Sequence, residues 1–368
     1  MKKLDFNIPF CGFRDLDFTS CFTGVYMYLE GIQGNDDDEC AKKQGKPCDG
    51  CGNCGQTLNG LQERFFFLFD TVSGRSATVR GWGKKPTAIF REIYDTEDMV
   101  DFIMGYAGYS SMRYTDNLME HIREAIDGGS PVLARLKKDG SYMDYNADSF
   151  RTIVGYDGDK LLMANPKGAQ NPPKRAPKLS EIGSVYVITG KTERRYTLLD
   201  ALRRIKRVMD ADREAGTWDE YIHAFEKYWE RLKDHSLKEL KRLHKNAWDG
   251  AIWNCHNFGS ALCIHYVIRQ NPESAQRQFQ NWIWDDLKDA RLVPALERVG
   301  TACDESHTHQ WQLRSLYETR DWSKKYYNEM EWGMCENAIL VLGKIKEDDD
   351  IVYNAVCEMI DILEGDQP

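Results

Sequence analysis

The chain has 368 residues, 42% hydrophobic and 29% charged, with 49 basic against 58 acidic side chains and a formal net charge of −9. That length leaves room for two domains with a core in each, and the acidic balance excludes non-specific nucleic-acid binding, which needs clustered basic charge. No run approaches the roughly eighteen apolar residues of a membrane span, and Met1-Lys2-Lys3-Leu4-Asp5-Phe6 lacks a signal-peptide core, so the expected setting is soluble, off the membrane and cytoplasmic.

Residues 1–18 are mixed in character. Thr19 to Gly31 then reads as one helix of about three turns, with Thr19 or Ser20 as the capping oxygen and Gly31 as the stop. Val25, Tyr26, Tyr28 and Leu29 make it apolar on most sides, so it is expected to be buried. Cys21 falls in its first turn, where free backbone N–H groups and the helix dipole favour an anion. Cysteine is equally at home as a small core residue.

A polar, glycine-rich insert follows from about 33 to 60. Cys48, Cys51 and Cys54 stand there at Cys-x-x-Cys-x-x-Cys spacing, with Cys40 eight residues upstream and glycine after both Cys51 and Cys54. In a reducing compartment such crowding points to metal before disulfides. Four thiolates close the tetrahedron of a structural zinc. Overlapping Cys-x-x-Cys pairs also suit an iron–sulfur cluster, although Pro47 precedes the run where the ferredoxin pattern has proline after its last cysteine.

Beyond the insert, the apolar run from Phe65 to Phe69 reads as a buried strand. Helical patches follow near 86–94, 96–105 and 116–126, the last ended by Gly128-Gly129. The period then changes to two. Val132–Leu136, Phe150–Tyr156, Leu161–Ala164 and Val185–Ile188 read as strands, and Asp157-Gly158-Asp159 is a hairpin turn. Helices with an antiparallel sheet make this half α+β.

After Lys191 the pattern is helical throughout. Leu198, Leu199, Leu202, Ile205 and Met209 mark one apolar face, and Thr217–Glu220 and Ser236–Glu239 are capping boxes. Nine of the ten tryptophans fall between Trp218 and Trp332, which suits packing mass. The expected organisation is an α+β domain over 1–191 and an all-helical domain over 192–368. Two histidine-bearing stretches lie in the second. His256 sits on an apolar helix, where a buried, hydrogen-bonded role is the leading reading and a reach across to Cys21 the rival one. Asp304, His307 and His309 read as an exposed polar loop, with a metal site as the rival.

The order of a helix-borne cysteine followed by an antiparallel sheet resembles papain-like cysteine peptidases. Within them it is similar to the double-glycine leader peptidases and to the related amino-terminal domain of the butirosin-biosynthesis acyltransferase. The residues that carry the resemblance are the Cys21 helix and the stretch from Phe150 through Gly155, Tyr156 and Asp159 to Asn165-Pro166. It implies a papain-like fold, Cys21 in the nucleophile position and Asn165 in the position that orients a catalytic histidine. The histidine position holds Ser149, and the position of the oxyanion-hole glutamine holds Asp15. No histidine occurs between Ile122 and Lys191. A thiol needs a base or a cationic neighbour to ionise near neutral pH, and serine supplies neither. The insert, the stretch Gln62–Asp70, Gly74-Arg75-Ser76 and Phe150–Asp159 are also similar to a set of proteins from gut-type anaerobic bacteria, a resemblance that implies no activity.

The expectation is therefore a degenerate peptidase-like protein that binds a peptide or small metabolite, with Arg75, Arg151 and Tyr156 as contacts. The alternative is a thiol acyltransferase or amide hydrolase using Cys21 with Asn165 as polar helper. A third reading gives the cysteine insert a redox or metal-sensing role.

Overall fold

A computed structural model describes residues 1–10, 16–33, 58–77, 96–137, 149–167, 172–220, 222–223, 226, 289–318 and 327–365. They divide into two compact units, the first drawing on 1–69 and 96–197, the second on 70–77, 198–226 and 289–365.

The first unit is a six-stranded sheet with helices, and every pairing in it is antiparallel, an α+β arrangement. The strands are β1 (Lys2–Lys3), β2 (Tyr109–Tyr114), β3 (Val132–Leu136), β4 (Phe150–Asp157), β5 (Lys160–Met163) and β6 (Ile182–Lys191). Their order is β1-β4-β3-β6-β2, with β5 on the other edge of β4. The helices are α1 (Phe18–Leu29), α2 (Leu58–Val72, whose last residues count with the second unit), α3 (Glu97–Tyr106) and α4 (Leu118–Asp127).

Strand alternation sorts the two sheet faces. Val132, Ala134, Ile153 and Val185 pack with Ile122 and Ile126 of α4. On the opposite face Phe150 meets Phe18 of α1 edge-on at 5.4 Å, and Thr152 and Val154 share that face by period. The β4–β5 turn works because Gly158 takes φ +60°, a left-handed conformation that glycine adopts without strain. Gly155 is needed for another reason: a Cβ there would run into the Lys2 carbonyl, so β1 can lie against β4 only over glycine.

The second unit, among the described residues, is helical: α5 (Leu198–Glu214), α6 (Val293–Glu318) and α7 (Tyr327–Glu364). Leu198, Leu199, Leu202, Ile205 and Met209 are all buried, the face the periodicity marks. Leu342, Ile345, Val352 and Met359 of α7 supply the other half of this core. The pairs His309–Asp348 and Arg298–Glu358 run in opposite senses along α6 and α7, so these two helices are antiparallel.

Three sequence readings change. Phe65–Phe69 is not a strand but part of the fifteen-residue α2. A short apolar run is ambiguous in period, and here Leu61, Phe65, Leu68, Phe69 and Val72 form one buried helical stripe. The cap of α1 is Asp17, not Thr19 or Ser20. The segment containing His309 is no loop but the middle of the 26-residue α6. β2 went unread because Tyr-Ser-Ser-Met-Arg-Tyr is an edge strand with little apolar content, pairing only with β6.

Candidate functional site

The N-terminus of α1 is built by Asp17. Its backbone is extended, its Oδ1 accepts from the Ser20 N–H at 2.8 Å, and its carbonyl takes the Cys21 N–H at 3.1 Å. Cys21 therefore stands where the helical ladder has already begun, and the anion at this helix end is the Asp17 carboxylate. On the same helix Phe22 meets Phe69 at 5.1 Å, Tyr26 meets Phe65 and Phe69 at 5.3 and 5.2 Å, and Phe18 stacks on Phe22. Cys21 is 0% exposed. Burial with a carboxylate at the helix end opposes a thiolate.

Backbone bonds gather three family-implied positions at one end of the sheet. Phe150 N–H donates to the Leu16 carbonyl, Leu136 N–H to the Ser149 carbonyl and Ala164 N–H to the Thr152 carbonyl, each at 2.8 Å. The start of α1, the start of β4 and the end of β5 thus converge, and Cys21, Ser149 and Asn165 stand on them. Their side chains differ in exposure. Ser149 is buried, while Asn165 is exposed and its Oδ1 accepts from the Lys167 N–H at 3.1 Å, which closes its own turn.

Each of the expected binding contacts holds a hydrogen bond or an ion pair. Arg151 is 6% exposed, donates to the Phe150 carbonyl at 2.7 Å and by strand period faces away from Thr152. Tyr156 sits seven residues from Ser149, roughly 23 Å along β4, where its hydroxyl donates to Asp127 at 2.9 Å. That bond to a carboxylate pushes the Tyr156 phenol up. Arg75 belongs to the second unit, 5% exposed and 3.4 Å from the Asp70 carboxylate. Its turn is fixed by Ser73, whose hydroxyl donates to the Asp70 carbonyl and whose carbonyl takes the Arg204 guanidinium. Cys40, Cys48, Cys51, Cys54, Asp15 and His256 lie outside the described residues.

A different site appears on the second unit. His309 Nδ1 lies 2.8 Å from Asp348 Oδ2, a separation at which Nδ1–H donates to the carboxylate. The contact holds the imidazole by Nδ1 and leaves Nε2 clear of Asp348. Burial raises the Asp348 carboxyl above its usual range, opposed by His309 and reinforced by Glu305 and Glu347 nearby. This pair borders an open cleft of about 670 Å³ between α6 and α7 that also takes in Thr308, Lys344 and Ile351. That volume suits a small-molecule site. Behind the cleft the two next residues of α7 turn to α5: Arg213 donates to Asp349 at 3.1 Å and to Asp350. Burial pushes Asp349 up to about 7 despite Arg213.

Lys344 and Asp348 are lining residues that the sequence reading passed over, and Glu305 stood in the His309 cluster without a role. Their signal was available in the helical period. Thr301, Glu305 and Thr308 with His309 stand at i, i+4, i+7 and i+8, and Lys344, Glu347, Asp348 and Ile351 at i, i+3, i+4 and i+7. Among the described residues no cluster of three His, Cys, Asp or Glu has metal-binding geometry, and no helix is long and apolar enough to cross a membrane. No protein-family model matches the chain, and no curated protein matches it either.

Proposed function

We propose that this chain is a non-catalytic binding protein on a papain-like frame, taking a peptide or small metabolite, with a largely helical second domain after about residue 192 and a cytoplasmic setting. The observation that carries the reading is the burial of Cys21, which is 0% exposed, with Asp17 as the anion of its helix N-terminus. Ser149, where the family resemblance expects the base, is also buried. A thiol acyltransferase would need Cys21 open to an acyl donor and a group able to take its proton. The cysteine insert is assigned a structural zinc, since four thiolates with glycine after two of them fit a closed tetrahedron. The alternative is an iron–sulfur cluster, which would make the purified protein brown.

The test is the rate of Cys21 alkylation against pH, read by peptide mass spectrometry with zinc left in place. The expected result is no labelling in the folded state. Labelling with a midpoint well below the ~8.5 of a free thiol overturns the reading in favour of the acyltransferase or amide hydrolase.

A further inference from the structure

We propose that Arg113 and Arg135, on the α1 face of the sheet, form a carboxylate-binding pair that holds an acidic end group of the ligand. The proposal rests on the binding reading above and gives it a contact and a ligand charge.

Strand register assembles the pair. Arg113 of β2 stands directly opposite Tyr186 of β6, and Arg135 of β3 opposite both Phe150 and Ser184. Residues opposed in this way share a sheet face, here the one on which Phe150 meets Phe18 of α1. Glu97, in the first turn of α3, closes the group. Its Oε1 accepts from the Tyr186 hydroxyl at 2.7 Å and from Arg135 Nη1 at 3.0 Å, and Arg113 Nε lies 3.3 Å from the same oxygen. Arg135 also lies over the Phe150 ring, and the next residue, Leu136, donates its N–H to the Ser149 carbonyl. Arg135 is thus beside the sheet end where α1 and β4 begin.

Donors from three strands converge on one oxygen, which is the arrangement an oxyanion site requires. Burial and the Glu97 bond push the Tyr186 phenol up to about 12, so its hydroxyl stays a donor. The charges do not cancel. Two guanidiniums face one carboxylate, and among the described residues neither has a second acidic partner. Other acids of this unit are engaged elsewhere: Asp101 by Arg195 and Tyr196, Glu181 by Arg175. The single positive charge left over matches a carboxylate and falls short of a phosphate dianion. The groups are within reach of a ligand, since the side chains of Arg113 and Arg135 are 45% and 19% exposed. A guanidinium also has more N–H donors than one carboxylate oxygen uses, so each arginine keeps donors for a second anion.

The experiment measures calorimetric binding of N-acetyl-L-alanyl-L-alanine, its C-terminal amide and inorganic phosphate to the full chain. The peptide acid is expected to bind and the amide not. Arg113→Gln and Arg135→Gln are each expected to weaken the acid at least about tenfold. Glu97→Gln removes the competing carboxylate and is expected to strengthen binding severalfold, an effect that a purely structural ion-pair cluster would not give. Arg113 is at an exposed position, so its variant tests the pair without cost to the core. No binding at about 1 mM acid, equal binding of acid and amide, tighter binding of phosphate, or weakened binding in Glu97→Gln overturns the proposal. With Cys21 unlabelled, that failure removes this contact alone; a reactive Cys21 removes the binding reading whatever the titration gives.

Discussion

Cys21 and Asp348 are both buried polar groups on helices, and the molecule treats them differently. The first unit buries Cys21 completely, packs aromatic rings along the same helix and satisfies the helix end with Asp17. Around Asp348 the second unit leaves one side open to a cleft and ties the carboxylate to a single histidine, with two further acids close by. A buried group whose surroundings are complete serves the fold. A buried group that keeps a charged neighbourhood and a route to solvent is placed to meet something else.

The contrast breaks most forcefully at Phe22. Phe22→Ala removes the ring that touches Phe18, Tyr26 and Phe69, and a loss of about 3–5 kcal/mol is expected from urea unfolding. If this packing is what hides Cys21, the same variant becomes open to alkylation.

The second region sharpens the contrast through pH. Folding raises Asp349 from 3.8 to about 7, so the folded state keeps a proton that the unfolded chain gives up. Stability from this group is full below about pH 4 and falls as pH rises toward 7. The stability of wild type relative to Asp349→Asn is expected to drop by about 4 kcal/mol across that window, measured by denaturant midpoints at each pH. A gap independent of pH would show that Arg213 keeps Asp349 ionised throughout.

The smallest effect is expected at the cap. Asp17→Ala leaves the Ser20 N–H without its acceptor and costs about 1 kcal/mol in the same unfolding assay. Cys21 stays unlabelled in that variant, because the packing that buries α1 remains.

What was legible in the sequence follows from where the physics is local. β3, β4 and the Asp157-Gly158-Asp159 turn were readable because alternation and a glycine turn are properties of neighbouring residues. The apolar face of α5 was readable for the same reason. Phe65–Phe69 misled because a run of five apolar residues carries no period, and its helix is declared only by Leu61 upstream and Val72 downstream. At the site, Cys21 drew attention by residue type, yet the helix cap lies four residues earlier in Asp17 and the rings of its helix pack on Phe69 of α2. Asp348 went unnoticed because three aspartates in a row look solvated until their partners, 39 residues away in His309 and 136 away in Arg213, are brought to them.

Those three aspartates have one more effect. Asp348 holds α6 while Asp349 and Asp350 hold α5, all within a single turn of α7. Each residue of an α-helix advances about 100° around its axis, so this turn sets the angular phase of the whole 38-residue α7. A one-residue insertion or deletion between Ala338 and Lys346 would keep the aspartates on their partners and rotate Ala338 and Leu342 out of the core. The length of α7 between its core layers is therefore more tightly constrained than the identity of any of its exposed residues.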